Sequence, residues 1–405
     1  MNDPNGLFYD SEKGIYHCYY QYHPFGTEWG PMYWGHAQSG DLLHWEDKDI
    51  ALFPDETGTI FSGCAFPDKK GDAGFGPGAV LYYYTAAGGE NPWSYGEEYT
   101  QRLAVSTDGG ETLIKKQCIL PHLADKNRDP MVFWHEGSQA YCMALYLEGN
   151  TFALFRSKDL LHFEETQRLE LPKAWECPGL FPLPVEGKEE QKWVFWSADG
   201  FYFVGSFDGY RFQPEQARKM AYLNTIPYAA QPFSGLCGKA IQMTWLRLPN
   251  TGENRTGMMA IPASLSLVER NGSYILRTQP AIPLEEPLFQ RIPAPVEGEY
   301  TGILEDRPVL LEGVLPAEKS ALKVEKDGNV LLKLDGASLR QGTLLLGKEQ
   351  LEIPEELRIP AAEGRYQLIA DRGVLELRLG AGLCWAAVSG PLSLEGRWSV
   401  HVNGK

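Results

Sequence analysis

The sequence has no apolar run that approaches the ~18 residues needed to span a membrane. It also lacks an excess of positive charge, since its formal net charge is -16 over 405 residues. Binding to nucleic acids or to an anionic membrane is therefore not expected. The CxxC and HExxH spacings of zinc sites are absent, as are the glycine-rich signatures of nucleotide sites. These absences exclude the commonest zinc and nucleotide chemistries.

Cysteine is sparse, and its seven positions are scattered and odd in number. That pattern favours reduced thiols over a disulfide framework. No secretory signal precedes the first motif of the chain, so we expect a cytoplasmic protein. An extracellular location would follow instead if an upstream segment precedes Met1. Nothing in the sequence predicts an oligomeric state.

Helical periodicity is hard to find before about residue 290. Short aromatic and β-branched runs alternate there with Gly, Pro, Asn and Asp, which predicts an all-β fold. A Ser-x-Asp segment recurs within this region, with its serines 67, 51 and 49 residues apart. The four copies begin at Ser39, Ser106, Ser157 and Ser206. These steps match a four-stranded propeller blade, and a fifth unit from about 222 to 267 completes a predicted five-bladed β-propeller.

Beyond the predicted propeller, a proline-rich stretch separates two series of strand-like runs. We predict a catalytic propeller domain over residues 1–281, a proline-rich linker over 282–298 and a β-sandwich over 299–405. A short helix is predicted over 318–324. Six strands of the sandwich are predicted, at 309–311, 330–334, 343–346, 366–370, 374–379 and 398–402. This second domain shows no cluster of polar residues that indicates chemistry, so a structural role is favoured.

Three carboxylates stand in unusual surroundings. Asp3 lies between Asn2 and Pro4 in a turn before a strand-like run, and Asp129 precedes Pro130 in the same way. Glu176 lies among Trp, Cys, Leu and Phe, with no basic residue nearer in sequence than Lys173. Desolvation in such company disfavours an ionised carboxylate, as a general acid requires.

These acids occupy equivalent places in the repeat. Asp3, Asp129 and Glu176 precede the first, third and fourth turn segments by 36, 28 and 30 residues. Each therefore opens a blade and lines the central channel, and Ser62 opens the second blade. Three carboxylates in one channel repel one another, so a functional role is favoured over a structural one. The arrangement predicts glycoside hydrolysis by two carboxylates, with a third acid assisting.

The sequence resembles glycoside hydrolase family 32, the β-fructosidases. The resemblance rests on Met1-Asn2-Asp3-Pro4-Asn5-Gly6, Arg128-Asp129-Pro130, Glu176-Cys177, Tyr20-Gln21-Tyr22-His23-Pro24, Trp29-Gly30-Pro31-Met32, Trp34-Gly35-His36 and Phe61-Ser62-Gly63. It covers the whole chain, and the segments around Trp29 and Phe53 resemble the levanase and exo-inulinase branch most.

The resemblance implies a retaining enzyme that acts on a carbohydrate substrate, either a fructan or sucrose. Asp3 would be the nucleophile, Glu176 the acid and base, and Asp129 the stabiliser of the transition state. The remaining expected substrate-binding residues are Asn2, Gln21, Trp29, Ser62 and Arg128. No metal or organic cofactor is implied.

The chain departs from the family in two places. Family members carry a tryptophan and a strand before the first motif, whereas this chain begins at Met1. In the fifth blade, Ile226, Lys239 and Pro262-Ala263-Ser264-Leu265 replace the family's usual residues. The type of fructosyl linkage that the enzyme would prefer is therefore left open.

Two other functions remain open at this stage. The first is a fructosyltransferase on the same scaffold, which would form oligomers in place of free fructose. The second is a catalytically impaired, fructan-binding relative. An inverting arabinan-type enzyme would need a carboxyl separation of ~6.5–9.5 Å and is disfavoured by the motifs.

Overall fold

The computed structural model describes residues 1–249, 256–285, 287–315, 320–335, 342–355 and 364–403. The chain forms two compact units, one of residues 1–220 with 228–274 and the other of residues 221–227 with 275–405. Apart from two short 3-10 turns, every regular element of the described residues is a β-strand, which confirms the predicted all-β class. The strands are numbered below in chain order.

The first three sheets are antiparallel and have four strands each, in chain order. Sheet one contains β1 Pro4–Asp10, β2 Ile15–Tyr22, β3 Tyr33–Ser39 and β4 Trp45–Leu52. Sheet two contains β5 Thr59–Asp68, β6 Ala79–Ala87, β7 Thr100–Ser106 and β8 Ile114–Leu120. Sheet three contains β9 Arg128–His135, β10 Ala140–Glu148, β11 Thr151–Ser157 and β12 Glu164–Glu170. Short 3-10 turns lie at Pro92–Ser94 and Glu136–Ser138.

The fourth and fifth sheets follow the same plan with an additional short strand each. Sheet four contains β13 Gly179–Pro184, β14 Gln191–Trp196, β15 Phe201–Phe207 and β16 Phe212–Pro214, with β17 Lys219–Met220 paired to β15. Sheet five contains β18 Pro227–Pro232, β19 Ile241–Leu246, β21 Ala263–Arg270 and β22 Ser273–Pro280, with β20 Met258–Met259 paired to β19.

The repeated Ser-x-Asp segments form the turns between the third and fourth strands of a sheet. In sheet one, Oγ of Ser39 accepts the N–H of Leu42 at 2.8 Å, and Oδ1 of Asp41 accepts the N–H of His44 at 2.8 Å. Ser157 and Asp159 make the equivalent bonds in sheet three. These side chains replace backbone partners in a tight turn, which explains why serine and aspartate recur at this point.

Neighbouring sheets of the first unit pack through shared apolar layers. One layer joins sheets two and three and includes the fully buried Tyr83 and Met143. Another joins sheets three and four through Phe152 and Phe195, whose ring centroids are 5.2 Å apart. The third sheet is therefore packed against a neighbouring sheet on each of its two faces.

The first strands contact one another in chain order, since β1 contacts β5, β5 contacts β9 and β9 contacts β13. The segment that follows β18 of the fifth sheet is hydrogen-bonded to β1 of the first sheet. The N–H of Ser234 donates to the carbonyl of Leu7 at 3.0 Å, and the N–H of Tyr9 donates to the carbonyl of Ser234 at 2.9 Å. This arrangement brings the residues that open each sheet close together.

The second unit contains a five-stranded and a six-stranded sheet. The five-stranded sheet has the order β23 Gln290–Ile292, β25 Val309–Val314, β30 Arg365–Asp371, β31 Val374–Leu379 and β32 Cys384–Ser389. The six-stranded sheet has the order β24 Gly298–Leu304, β33 Gly396–Asn403, β26 Ala321–Lys326, β27 Asn329–Asp335, β28 Thr343–Leu346 and β29 Glu349–Glu352. All six strands predicted for this region are present.

The helix predicted over 318–324 is wrong where the structure describes it, because strand β26 begins at Ala321. Leu322 and Val324 are fully buried and alternate with the more accessible Lys323 and Glu325, which is the period of a strand. Residues 318 and 319 lie outside the described part of the chain.

No disulfide joins any of the seven cysteines, so the prediction of free thiols is confirmed. Within the described residues, no helix combines the length and the apolar character required to cross a membrane.

Candidate active site

Asp3 lies immediately before β1, where its backbone is fixed on both sides. The N–H of Asn2 donates to the carbonyl of Gln21 at 3.1 Å, and the N–H of Gln21 donates to the carbonyl of Asp3 at 3.0 Å. The side-chain amide of the buried Asn5 also donates to the carbonyl of Asp3, at 3.1 Å. The Asn-Asp-Pro-Asn motif therefore serves to orient one carboxylate.

The carboxylate of Asp3 belongs to a polar circuit with three predicted binding residues. Oγ of Ser62 donates to Oδ2 of Asp3 at 2.7 Å, and Nδ2 of Asn2 lies 3.4 Å from Oδ1. Gln21 joins these two donors, because its Nε2 donates to Ser62 at 3.1 Å and its Oε1 accepts from Asn2 at 2.9 Å. Rotation of any of the four side chains would break at least one of these bonds.

Gly63 places Ser62 in this circuit. A Cβ atom at Gly63 would fall 1.9 Å from the carbonyl oxygen of Tyr83, so only glycine permits strand β5 to approach β6 this closely. The N–H of Gly63 donates to Oδ1 of Asn5 at 3.1 Å, which ties the second sheet to the motif that carries Asp3.

Asp129 is buried, with 4% of its surface exposed, and adopts a left-handed backbone conformation with φ 65°. The pairing of β9 with β10 is irregular here, between Ala144 and Tyr146. The N–H of Asp129 is directed away from the sheet and donates to Oγ1 of Thr85 at 2.9 Å. This bulge aims the carboxylate at the other acids, since a bulge redirects a side chain.

Glu176 and Cys177 also adopt positive φ angles, of 35° and 42°, just before β13. Non-glycine residues in this region are strained, and such strain concentrates at functional sites. The carbonyl of Glu176 accepts the N–H of Ala198 at 3.0 Å, which supports the unusual turn. The N–H of Cys177 donates to Oδ2 of Asp129 at 2.9 Å, and its Sγ lies 3.7 Å from Oδ2 of Asp3. Cys177 thus connects two of the three acids.

Arg128 is the cationic partner of Glu176. Its Nε and Nη2 lie 2.9 and 2.6 Å from Oε2 of Glu176, and Nε lies 3.7 Å from Oδ2 of Asp129. The guanidinium lies over the ring of Tyr146, 4.6 Å from its centroid. Although no basic residue is nearer to Glu176 in sequence than Lys173, the fold brings Arg128 to its carboxylate from another sheet.

Tyr228 is a site residue that the sequence analysis did not identify. Its hydroxyl donates to Oε1 of Glu176, and the guanidinium of Arg247 lies 4.0 Å from the centroid of its ring. Tyr228 lies in β18, the first strand of the fifth sheet. Its place at the start of a sheet, like that of Asp3 and Ser62, is the signal that could have indicated it.

Trp29 lies outside the polar circuit, and 60% of its surface is exposed. Its ring meets Phe61 edge to face at 6.2 Å between centroids, and Phe61 directly precedes Ser62. The structure therefore places Trp29 next to the cluster as an accessible aromatic surface. All eight predicted site residues thus lie in or beside a single cluster.

Burial dominates the electrostatics of this cluster. Asp3 retains some accessible surface, yet desolvation and the nearby charge of Glu176 raise its pKa to about 6, against the opposing hydrogen bonds from Ser62 and Asn2. Burial also raises the pKa of Asp129, although Arg128 opposes this. Burial and the neighbouring acids raise the pKa of the Cys177 thiol well above its usual range, so this thiol stays protonated.

The cluster holds three carboxylates but only one guanidinium within ion-pairing distance among the described residues. One proton shared among the acids would reduce their mutual repulsion, as coupled carboxylates require. Such a site can present one ionised carboxylate and one acidic proton at the same time. That combination suits cleavage of a glycosidic bond.

Comparison with known proteins supports this chemistry. Residues 1–280 match the glycosyl hydrolases family 32 N-terminal domain. The chain is 39% identical to a levanase of Bacillus subtilis over 239 residues, covering 53% of this chain and 34% of that protein. It is 37% identical to an extracellular exo-inulinase of Meyerozyma guilliermondii over 327 residues, covering 71% of this chain and 61% of that protein.

Among solved structures, an exo-inulinase of Aspergillus awamori is similar over 100% of this chain and 93% of that chain, with a TM-score of 0.83 and 26% identity. The chain spans between about a third and three fifths of the length of the two curated relatives. The match to the family model nevertheless covers well over half of the chain. This protein is therefore a member of glycosyl hydrolase family 32.

Proposed function

We propose that the protein is a retaining glycoside hydrolase that releases terminal β-fructofuranosyl units from fructans or sucrose. The observation that carries this proposal is the convergence of Asp3, Asp129 and Glu176, linked through Cys177 and Arg128. Family membership and the names of the relatives, a levanase and an exo-inulinase, support the choice of a fructosyl substrate.

In the first step, Oδ of Asp3 attacks the anomeric carbon of the terminal fructosyl unit while Glu176 donates a proton to the departing oxygen. Asp3 is suited to this role because Ser62 and Asn2 hold its carboxylate in one orientation. A retaining mechanism requires the two carboxyl groups to lie ~5–5.5 Å apart. The products of this step are the shortened saccharide and a fructosyl ester of Asp3.

In the second step, Glu176 removes a proton from water, which attacks the anomeric carbon and displaces Asp3. Esterification of Asp3 removes one negative charge from the cluster, and this relieves the repulsion that an ionised Glu176 experiences. Arg128 and Tyr228, which already donate to Glu176, favour the same ionised form. Glu176 thus serves as the acid in the first step and as the base in the second.

Asp129 would accept hydrogen bonds from the fructosyl hydroxyl groups and stabilise the positive charge of the transition state. The N–H of Cys177 and the bulge at φ 65° hold its carboxylate in place before substrate arrives. Asn2, Gln21 and Ser62 would bind further hydroxyl groups, and Trp29 offers a ring on which a sugar can stack.

We also infer that the first five sheets are the blades of a five-bladed β-propeller. The chain-order contacts of their first strands, and the return of Ser234 to Leu7, support this inference. The two sheets of the second unit would form the β-sandwich. The bounds 1–281, 282–298 and 299–405 remain our proposed domain limits, and a cytoplasmic location remains a prediction.

The test is product analysis with purified protein on sucrose, sucrose 6-phosphate, inulin and levan in parallel. We expect free fructose as the first and dominant product from at least one of these substrates, released from chain ends. Nuclear magnetic resonance of the nascent fructose should show the β configuration, because two successive displacements retain it. The Asp3→Asn variant serves as the inactive control.

Three outcomes would contradict the proposal. Oligosaccharides longer than the substrate, in place of fructose, would indicate a fructosyltransferase. Binding of fructan without turnover would indicate a catalytically impaired relative. Initial release of the α anomer would exclude the retaining mechanism and the nucleophilic role of Asp3.

A further inference from the structure

The exposed aromatic residues of the first four sheets are concentrated at one end of these sheets. Among the described residues, seven Phe, Tyr and Trp residues are at least 44% exposed. Six of them lie in the segments that lead into β3, β5, β7 and β13: Phe25, Trp29, Phe53, Trp93, Tyr95 and Trp175. Because the strands are antiparallel and in chain order, these segments lie at the end where β1, β5, β9 and β13 begin. That end carries the acid cluster, so the exposed rings surround the proposed active site.

Two of these residues, Phe25 and Phe53, belong to a continuous row of rings. The ring of Tyr33 lies between them, with its centroid 5.9 Å from that of Phe25 and 5.6 Å from that of Phe53. Both contacts are edge to face, and the two outer residues remain 79% and 55% exposed. Phe25, Tyr33 and Phe53 are called the aromatic strip below. The strip presents two accessible rings on one stretch of surface.

His23 connects the aromatic strip to Trp29. Its ring meets Phe25 edge to face, with 6.1 Å between the centroids. The same ring packs against the backbone of Gly30, where a Cβ atom would fall 2.6 Å from Cε1 of His23. Trp29 directly precedes Gly30 and lies beside the acid cluster. The aromatic strip is therefore an extension of the surface on which Trp29 offers a ring to a sugar.

Phe53 is fixed by its backbone, while its ring stays accessible. Nζ of Lys115 donates to the carbonyl of Phe53 at 2.5 Å and to Oδ2 of Asp55 at 2.6 Å. Single exposed apolar residues are common, but a contiguous exposed patch with polar residues at its edge marks an interaction site. The ion pair of Lys115 with Asp55 balances the charge beside Phe53. The strip therefore suits an uncharged partner.

A carbohydrate chain has the chemistry that this surface requires. Its units are uncharged, and the C–H groups on one face of a sugar ring pack against the electron-rich face of an aromatic ring. In the proposed reaction, the terminal fructosyl unit occupies the acid cluster and the next unit lies near Trp29. Sucrose has only these two units. Only a longer chain has further units that can extend from Trp29 to the aromatic strip.

We propose that the aromatic strip binds the sugar units of a fructan chain beyond the two nearest the acid cluster, so that the protein favours long fructans over sucrose. The choice of a fructan rests on the proposed function. The strip itself rests on the exposure of Phe25 and Phe53 and on their continuity with Trp29. Binding along the strip would raise the effective concentration of the chain end at the acids.

The test measures binding to the full chain with Glu176→Gln, which prevents efficient turnover during the measurement. Phe25→Ala and Phe53→Ala are added separately, and Phe25→Trp keeps an aromatic ring at the first position. Tyr210→Ala is the matched control, because Tyr210 is 49% exposed in the turn between β15 and β16, at the opposite end of its sheet. Isothermal titration gives Kd for long-chain inulin, long-chain levan and sucrose.

Each alanine variant should bind at least one of the two polymers ~3–10-fold more weakly, which is the typical strength of one aromatic contact. Its Kd for sucrose should stay within about twofold of the parent value, because sucrose does not reach the strip. Phe25→Trp and Tyr210→Ala should bind every sugar as the parent does. Circular dichroism checks folding, which is expected because both phenylalanines are largely exposed.

Four results would overturn the proposal. These are an unchanged Kd for both polymers in both alanine variants, no polymer binding by the parent, an equal loss of affinity for sucrose, and dimers that dissociate in Phe25→Ala. Sedimentation velocity detects the dimers, which would show that a second copy of the chain covers the strip.

The result is separable from the fate of the proposed function. If the wild-type protein releases no fructose but both alanine variants lose affinity for a polymer, the hydrolase proposal fails and the strip stands. If fructose is released and the alanine variants bind the polymers as the parent does, the strip fails and the hydrolase proposal stands.

Discussion

Oγ of Ser62 lies 2.7 Å from Oδ2 of Asp3, so a serine of the second sheet stabilises the ionised form of a carboxylate that precedes the first sheet. The pKa of Asp3 is about 6 with this bond in place. Ser62→Ala should raise that pKa further, because the bond favours the charged form. The acid limb of the pH profile of kcat/KM should move upward by about one pH unit.

Ser266→Ala is the matched control for that experiment. Ser266 also donates to a carboxylate, that of Glu186 at 2.5 Å, but outside the acid cluster. Its profile should coincide with that of the wild type. A Ser62→Ala profile that also coincides with the wild type would exclude Asp3 as the group that titrates in the acid limb.

The raised pKa of Asp3 also predicts how stability depends on pH. The folded state binds this proton more tightly than the unfolded chain does, with pKa values of about 6 and 3.8. The stabilising contribution of the proton is complete below pH 3.8 and is lost as the pH rises through 6. At pH 7.5 the ionised Asp3 therefore destabilises the fold, by at most about 3 kcal/mol.

Asp3→Asn should consequently raise Tm at pH 7.5, and the difference from the wild type should shrink towards zero near pH 4. Asp108→Asn provides a contrast, because hydrogen bonds from Ser106 and Thr112 lower the pKa of Asp108 to about 2. That variant should lose Tm at pH 7.5. Thermal denaturation at both pH values measures these differences, and a lower Tm for Asp3→Asn at pH 7.5 would contradict the prediction.

Asp3→Ala should abolish turnover without unfolding the protein. Loss of a nucleophile typically lowers kcat by ~10⁴-fold or more. The fold should survive because the backbone bonds of Asp3 to Gln21 and Asn5 do not involve its carboxylate. Fructose release and circular dichroism measure the two effects, and substantial activity in a folded Asp3→Ala protein would remove Asp3 as the nucleophile.

Glu176→Gln should affect substrates according to their leaving groups. Sucrose and fructans need a proton on the departing oxygen, whereas activated aryl fructosides do not. General acid catalysis typically contributes ~10²–10⁴-fold, so kcat on natural substrates should fall by that factor while the first step on aryl fructosides is largely spared. Pre-steady-state release of the aryl group isolates this step. Equal losses on both substrates would argue against the acid role.

Tyr228→Phe removes one of the two partners of the Glu176 carboxylate and leaves Arg128 in place. We expect kcat to fall by ~10-fold or more, with little change in KM, because the hydroxyl contacts the acid and base directly. Tyr141→Phe is the control, since the hydroxyl of Tyr141 also donates to a carboxylate, that of Asp72, but outside the acid cluster. Equal activities of the two variants would contradict a role for Tyr228 in the reaction.

The repeat of the sheets and the positions of the three acids can be predicted from the sequence, because both depend on short local motifs. The spacing of the Ser-x-Asp segments predicts the length of each four-stranded sheet. The hydrogen bonds of Ser39 and Asp41 that form the turn involve only residues within three positions along the chain. The three acids can be identified because each has a distinctive neighbour, such as Pro4 or Pro130, and each opens a repeat.

The unpredicted features depend on contacts between distant segments. Arg128 is predicted as a site residue, but neither its direct pairing with Glu176, 48 residues away, nor that of Tyr228, 52 residues away, is indicated by a sequence pattern near Glu176. The helix predicted over 318–324 failed for a different reason. The seven residues of the predicted helix are too few for a helical or a strand period to be clear from the sequence. The pairing of β26 with β27 and β33 decides in favour of a strand.

The third and fourth sheets exchange partners in a reciprocal way: the side chain of Arg128 binds Glu176, and the backbone of Cys177 binds Asp129. Each dipeptide thus holds the acid carried by the other. Loop grafting or recombination between relatives should respect this exchange, because a transplanted Arg-Asp segment without its Glu-Cys counterpart would arrive with a misplaced acid. A chimera should therefore take the third and fourth sheets from the same relative.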